Sequence, residues 1–177
     1  QPWRLAILTL AAVVTVALTL SVFVPWMRFS LITLSLTLSG AGSSVVASAP
    51  MVIVLVFMLY VVVYKKHDVA QILSQASIRE EEWFRAGAES WTLRQRVASC
   101  VLFGVCHVIN LIVPISAMVA LGLLGAVLMR TYLKAYRQTE DPQHATMVSA
   151  RLHQTYNHCV LWFVLIATSA LLVWMIV

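Results

Sequence analysis

The sequence predicts an all-α polytopic bundle of about six membrane spans, with one further amphipathic or partly re-entrant helix carrying the acidic residues. Three observations predict it. Hydrophobic residues fill 61% of the 177 positions and charged ones 11%, against roughly 25% charged in ordinary soluble domains, which is more apolar surface than one core of this size can hide. The apolar residues come in runs of about the length that crosses a bilayer. The basic residues gather on alternate connections between those runs, as they do when one side of a membrane is cytoplasmic. Residues 1–177 form one integral membrane domain, with three spans in 1–66 and a motif-bearing region in 67–177.

Leu5 to Val24 is an uninterrupted apolar run, closed by Pro25-Trp26-Met27-Arg28 with an interfacial Trp and a charge. It lacks the small-residue cleavage pattern of a signal peptide, and a second run follows at once. The opening residue is Gln1 and not Met, so residues are expected to precede it. The second span runs from about Phe29 to Val46, its Ser and Thr able to bond their own helix or a neighbour. Gly40-Ala41-Gly42-Ser43-Ser44 lies at its far end, and Ala49-Pro50 marks a turn. Met51 to Tyr64 is the third span, stopped by Lys65-Lys66-His67-Asp68.

Val69 to Arg96 is the polar-rich helical stretch. Its Val69, Ile72, Leu73, Ala76, Trp83, Phe84 and Ala88 recur at roughly helical spacing, which predicts an apolar face lying against the bundle. Val97 to Val113 is the fourth span, ended by Pro114. The fifth runs from Ser116 to about Met129, and its helix is expected to continue into water through Arg130, Tyr132, Lys134, Tyr136 and Arg137. A polar insertion of about Lys134 to Ser149 follows. Asp141-Pro142 starts the last helix, whose membrane part runs from about His153 to Val177.

With the N-terminus outside, eleven of the twelve Lys and Arg residues face the cytoplasm and only Arg4 does not. The formal charge of +5 therefore reports orientation and anionic head groups, with membrane lipids as partners and no nucleic acid. Arg130, Lys134 and Arg137, with Tyr132 and Tyr136, read as anchors to anionic lipid. Cys100, Cys106 and Cys159 form no CxxC pair and sit in apolar runs, so they read as small buried hydrophobes. His67, His144 and His158 are expected to face water or head groups.

Three patterns occur in order on three helices. Glu80-Glu81 with Arg85 gives EExxxR, Phe103 with His107 gives FxxxH, and His153 with Asn157 gives HxxxN. A spacing of four puts both members of a pair on one helix face, one turn apart. Three acids and an arginine beside apolar segments are costly unless they are used. Each pattern alone is weak; the ordered set is far rarer than any member.

That set resembles the CPBP family of intramembrane proteases, also called Abi or CAAX-protease-like, over roughly Ser77 to the C-terminus. Gly122-Leu123-Leu124-Gly125 resembles the glycine-bearing helix that the family places between its second and third motifs. The resemblance implies a helical bundle with a water-accessible cavity near one membrane face. It implies that Glu80 and His107 activate a water, that His153 and Asn157 stabilise the oxyanion, and that Glu81 and Arg85 support the first motif. Its spread, with the absence of eukaryotic retention signals, implies a bacterial plasma membrane. The residue chemistry agrees: amide hydrolysis needs a base for water and donors aimed at developing negative charge. Phe103, one turn before His107, would fix that ring, and Glu81 with Arg85 makes an i,i+4 pair.

Alternatives stay open at this point. Glu80, His107 and His153 are also ordinary ligand types for a divalent metal, although no HExxH pair is present. A catalytically silent family member serving as accessory subunit or adaptor of a larger membrane complex, such as a transporter, fits the same residues. A channel or transporter in its own right is less favoured, since neither an inverted repeat nor paired broken helices occur. The substrate of a peptidase would be a membrane-associated peptide or protein.

Overall fold

The structure, a computed structural model, describes residues 2–24, 60, 64, 66–107 and 115–176. The expected second span and nearly all of the third lie outside the described residues. Every described element is helical: α1 (Pro2–Phe23), α2 (Lys66–Arg85), a short 3-10 turn (Ala88–Ser90), α3 (Leu93–Cys106), α4 (Ile115–Thr139) and α5 (Pro142–Ile176). Two of them, α1 over Pro2–Leu20 and α4, are long and apolar enough to cross a membrane.

Helix α4 is the central post, packed by α3, α5 and α1, while α2 lies mainly along α5. The main core joins Ala6 and Val13 of α1, Phe103 of α3, Ala120, Leu124 and Leu128 of α4, and Leu152 and Tyr156 of α5. A second cluster, Ala88, Met129, Tyr132, Ala135 and Ala145, sits below the chain reversal at the end of α2. Glycines set how closely α3 and α4 approach. A Cβ on Gly104 would lie 2.5 Å from the Met118 carbonyl oxygen, and one on Gly125 would lie 3.1 Å from that of Cys100. Backbone atoms cannot step aside, so these two positions admit no side chain without moving a helix.

Several boundaries differ from those the sequence predicts. The polar stretch from Val69 to Arg96 is not one helix. It starts earlier, at Lys66, with Asp68 in the first turn, where the helix dipole favours an acid. It ends at Arg85, because Gly87 takes a left-handed φ of 84°. A new helix then opens on a capping box, in which the Thr92 side chain accepts from Gln95 N while the Gln95 side chain accepts from Thr92 N. Helix α3 therefore begins at Leu93, four residues before the expected Val97, and its α-helical part closes at Cys106. The remainder of the expected fourth span, 108–114, lies outside the described residues.

The polar stretch of Lys134 to Ser149 is helical on both sides of a short connection, in line with the expected continuation of the fifth helix and the expected start at Asp141-Pro142. α4 continues to Thr139 and α5 starts at Pro142, leaving Glu140-Asp141 as the whole connection. Asp141 caps α5 as its sequence predicts, its Oδ1 accepting from Gln143 N at 2.8 Å and His144 N at 3.2 Å, with Pro142 at the first helical position.

Helix α2 turns inward most of the apolar face expected of it, Val69, Leu73, Ala76 and Phe84 being half-buried, but Trp83 is 76% and Ile72 65% exposed. Its fully buried positions are polar: Ser77, Glu81 and Arg85. The physical reason lies in α5, which offers a matching row of donors.

Candidate active site

Helix α5 presents Ser149, His153, Gln154 and Asn157 toward α2, and the two helices are joined by polar contacts at each turn. Gln154 Nε2 donates to Ser74 Oγ at 2.8 Å. Asn157 Nδ2 donates to Ser77 Oγ at 3.0 Å, and Ser77 passes its own proton to the Leu73 carbonyl at 2.8 Å. One step further along, the Glu81 carboxylate is completely buried and accepts three bonds. Arg85 Nη1 donates to Oε1 at 2.7 Å, His153 Nδ1 to the same oxygen at 3.0 Å, and Ser149 Oγ to Oε2 at 2.5 Å. A carboxylate beside a guanidinium only accepts, so Nδ1 of His153 carries its proton.

Phe103 is the apolar hub of this cluster. Its ring is fully buried, with the Arg85 guanidinium 4.5 Å from its centroid. It meets the rings of His107, His153 and Phe84 edge-on at 5.0, 5.5 and 5.5 Å. Arg85 itself is 1% exposed. Burial pulls its guanidinium below the ordinary value, while Glu81, then Cys100 and Glu80, oppose that shift.

Glu80 sits beside this network without joining it. Its side chain is 32% exposed and Oε2 stands 3.7 Å from His153 Nε2, too far for a hydrogen bond. That oxygen is sheltered from solvent and receives no hydrogen bond from the described residues. His107 lies at the end of α3, where its Nδ1 is 2.7 Å from the Phe103 carbonyl oxygen. A carbonyl only accepts, so Nδ1 holds the proton and Nε2 keeps its lone pair free to accept one. Among the described residues, Glu80 and His107 thus each present an uncommitted acceptor.

The predicted residues do not all meet as expected. Glu81, Arg85, Phe103 and His153 form one buried unit, with Glu80 and His107 at its rim. Among the described residues Glu80 and His107 share no hydrogen bond or ion pair. Asn157 is one turn from His153 but is committed to Ser77, not to the Glu80 side of the ring. Among the described residues no three His, Cys, Asp or Glu side chains gather closely enough to hold a metal ion. No family model, curated protein or solved structure matches this chain.

Sequence reasoning missed the residues that hold this arrangement. Ser149 is one of them, although it lies one turn before His153 and so shares its helix face. The reversal after α2 is also pinned from three sides. Ser99 Oγ donates to the Phe84 carbonyl at 2.5 Å. Arg96 donates to the Ala88 and Glu89 carbonyls at 3.0 and 3.1 Å. Tyr132 Oη donates to Glu89 Oε2 at 2.6 Å and accepts from Gly87 N at 3.3 Å. No pattern in the sequence marks Tyr132 for this role, because its partners are 43 and 45 positions away.

Proposed function

We propose that the chain is an integral membrane protein of about six spans, charged face cytoplasmic, in a bacterial plasma membrane, and acts as an intramembrane endopeptidase of the CPBP type. The observation that carries the peptidase reading is the meeting of residues from all three motifs around the Phe103 ring and the Glu81 carboxylate, across as many as 72 positions of sequence. The membrane reading is supported by two helices of spanning length. It is supported further by large apolar side chains left exposed on α1, α3 and α5, among them Leu8, Phe23, Leu102 and Trp162.

In the proposed reaction, water attacks the carbonyl carbon of a peptide held near the cytoplasmic surface. Its proton passes to Glu80 Oε2 or His107 Nε2, acceptors that carry no other bond among the described residues. His153 turns Nε2 toward the Glu80 side. In the reacting form His153 carries a proton on both ring nitrogens before water attacks: Nδ1–H stays on Glu81, and Nε2–H donates to the oxyanion without being transferred. The proton held by the base returns to the leaving amine. Glu81, Arg85 and Ser149 fix the ring and take no part in bond making.

The test compares membranes bearing the chain with membranes bearing Glu80→Gln or His107→Ala, reading new peptide N-termini by mass spectrometry. The expected result is a set of N-termini that both substitutions abolish, by 10²-fold or more on the order expected for a lost general base, with the variants still folded. The same N-termini at unchanged yield in both variants would overturn the mechanism. Stable co-purification of a partner with no cleavage at all would instead favour the silent accessory-subunit reading.

A further inference from the structure

A groove of about 660 Å³ runs along the outer junction of α3 and α4, on the far side of Cys100 from the Glu81 cluster. Its character changes along its length. One part is apolar, lined by Val97, Val101, Val119, Gly122, Leu123 and Ala126. The other end is edged by Arg96, Arg130, Lys134 and Arg137. Arg130, Lys134 and Arg137 follow one another at i, i+4 and i+7 and so stack on one face of α4. All three are exposed, and among the described residues none forms an ion pair. Of the acids nearest in sequence, Glu89 accepts from Tyr132, Asp141 caps α5, and Glu140, past the end of α4 at a φ of 54°, forms no ion pair among the described residues.

We propose that this groove is a specific site for one anionic glycerophospholipid, its phosphate at the Arg130–Lys134–Arg137 edge and an acyl chain along the α3–α4 seam. Charge decides among the possible occupants. No acidic side chain outside the described residues can answer the cations: all seven Asp and Glu of the chain lie among the described ones, and the charged residues elsewhere are Arg28 and Lys65. A neutral lipid would fill the apolar part and leave Arg130, Lys134 and Arg137 facing it unmatched. An anionic phosphate beside an alkyl tail matches both ends, and a row of basic side chains at the membrane surface is where such head groups gather. The apolar part, from Val119 to Met129, spans about 15 Å along α4 at 1.5 Å per residue, room for an extended chain segment. Gly122 keeps the seam open: a Cβ there would meet only the Cys100 carbonyl oxygen at 3.6 Å, an ordinary contact. A side chain at that position is therefore tolerated by the helix pair while occupying the groove. The site is independent of whether the chain hydrolyses peptides.

The experiment is native mass spectrometry of the full chain in mild detergent, titrated with phosphatidylglycerol, phosphatidylcholine of the same acyl chains, and glycerol 3-phosphate. A one-to-one phosphatidylglycerol adduct is expected at concentrations where phosphatidylcholine gives none, and glycerol 3-phosphate should not displace it. Arg130→Gln with Lys134→Gln and Arg137→Gln, all solvent-facing, should weaken that adduct on the order of a hundred-fold, about five-fold per charge. Gly122→Leu, or Leu123→Trp as a second way of filling the seam, should weaken it without altering the unfolding midpoint. Equal retention of the two lipids, an unchanged adduct in the triple variant, or displacement by glycerol 3-phosphate would overturn the proposal.

Discussion

Glu80 and Glu81 are neighbours of the same chemistry, and the structure gives them opposite jobs. Glu81→Gln is the perturbation that separates them. Glu81 is 0% exposed and accepts from Arg85, His153 and Ser149, all of them donors. An amide in its place keeps one acceptor oxygen and turns two new donors on groups that can only donate or are already bonded. Hydrogen bonds to charged groups are each worth about 1.5–3 kcal/mol, and stranding one member of a buried pair costs about 3–5 kcal/mol. The latter range is the expected loss, a large share of the roughly 5–15 kcal/mol that holds a domain folded. Adding Arg85→Met removes the stranded cation, so the double variant should recover about 1–3 kcal/mol relative to additivity. Glu80→Gln, by contrast, breaks no hydrogen bond and should cost under about 1 kcal/mol. The assay is reversible unfolding in mixed micelles followed by tryptophan fluorescence, with the four variants on one double-mutant cycle plus Glu80→Gln beside it. The reasoning is refuted if Glu81→Gln unfolds at the wild-type midpoint, or if Glu80→Gln costs as much as Glu81→Gln.

Gly104→Ala should destabilise by about 1–3 kcal/mol, because its Cβ would sit 2.5 Å from the Met118 carbonyl oxygen, while Gly122→Ala on the same seam should be near neutral; denaturant midpoints of the two variants check the contrast. Tyr132→Phe removes the bonds to Glu89 and Gly87 N and should cost about 1–2 kcal/mol. Amide exchange over residues 86–92 should quicken in that variant while α5 exchanges as before.

Much of this was readable before any coordinates, and the misreadings share a physical origin. The start of α5 was legible because Asp141-Pro142 acts locally, through one side chain and one fixed φ. The extension of α4 past Met129 was legible because its polar residues keep helical spacing. The break after Arg85 was also written locally, in Gly87 and in the Thr92-to-Gln95 box. It was overridden in the reading by apolar periodicity that runs across it. Which polar residues of α2 join its apolar ones on the inward side could not be read from α2 at all. Whether Glu80 or Glu81 turns inward depends on a rotation of about 100° between successive residues, and that is decided by the donors α5 supplies. Pairing His107 directly with Glu80 assumed that two residues with matching chemistry also touch. The structure gives His107 its own Phe103 carbonyl instead.

The α2–α5 seam also fixes an order of events during synthesis. Among the described residues, the side chains from outside α2 that bond Ser74, Ser77 and Glu81 all come from residues 149–157, which lie 68 to 80 positions downstream. At roughly 5–20 residues per second of translation, Glu81 leaves the ribosome several seconds before Ser149 and His153 exist. Among the described residues Arg85, four residues on, is the one partner of that carboxylate made early. During that interval α2 cannot pack into the bundle without stranding its charges, so it must stay where water reaches it. The seam closes only when the first part of α5 is made, after every other described helix.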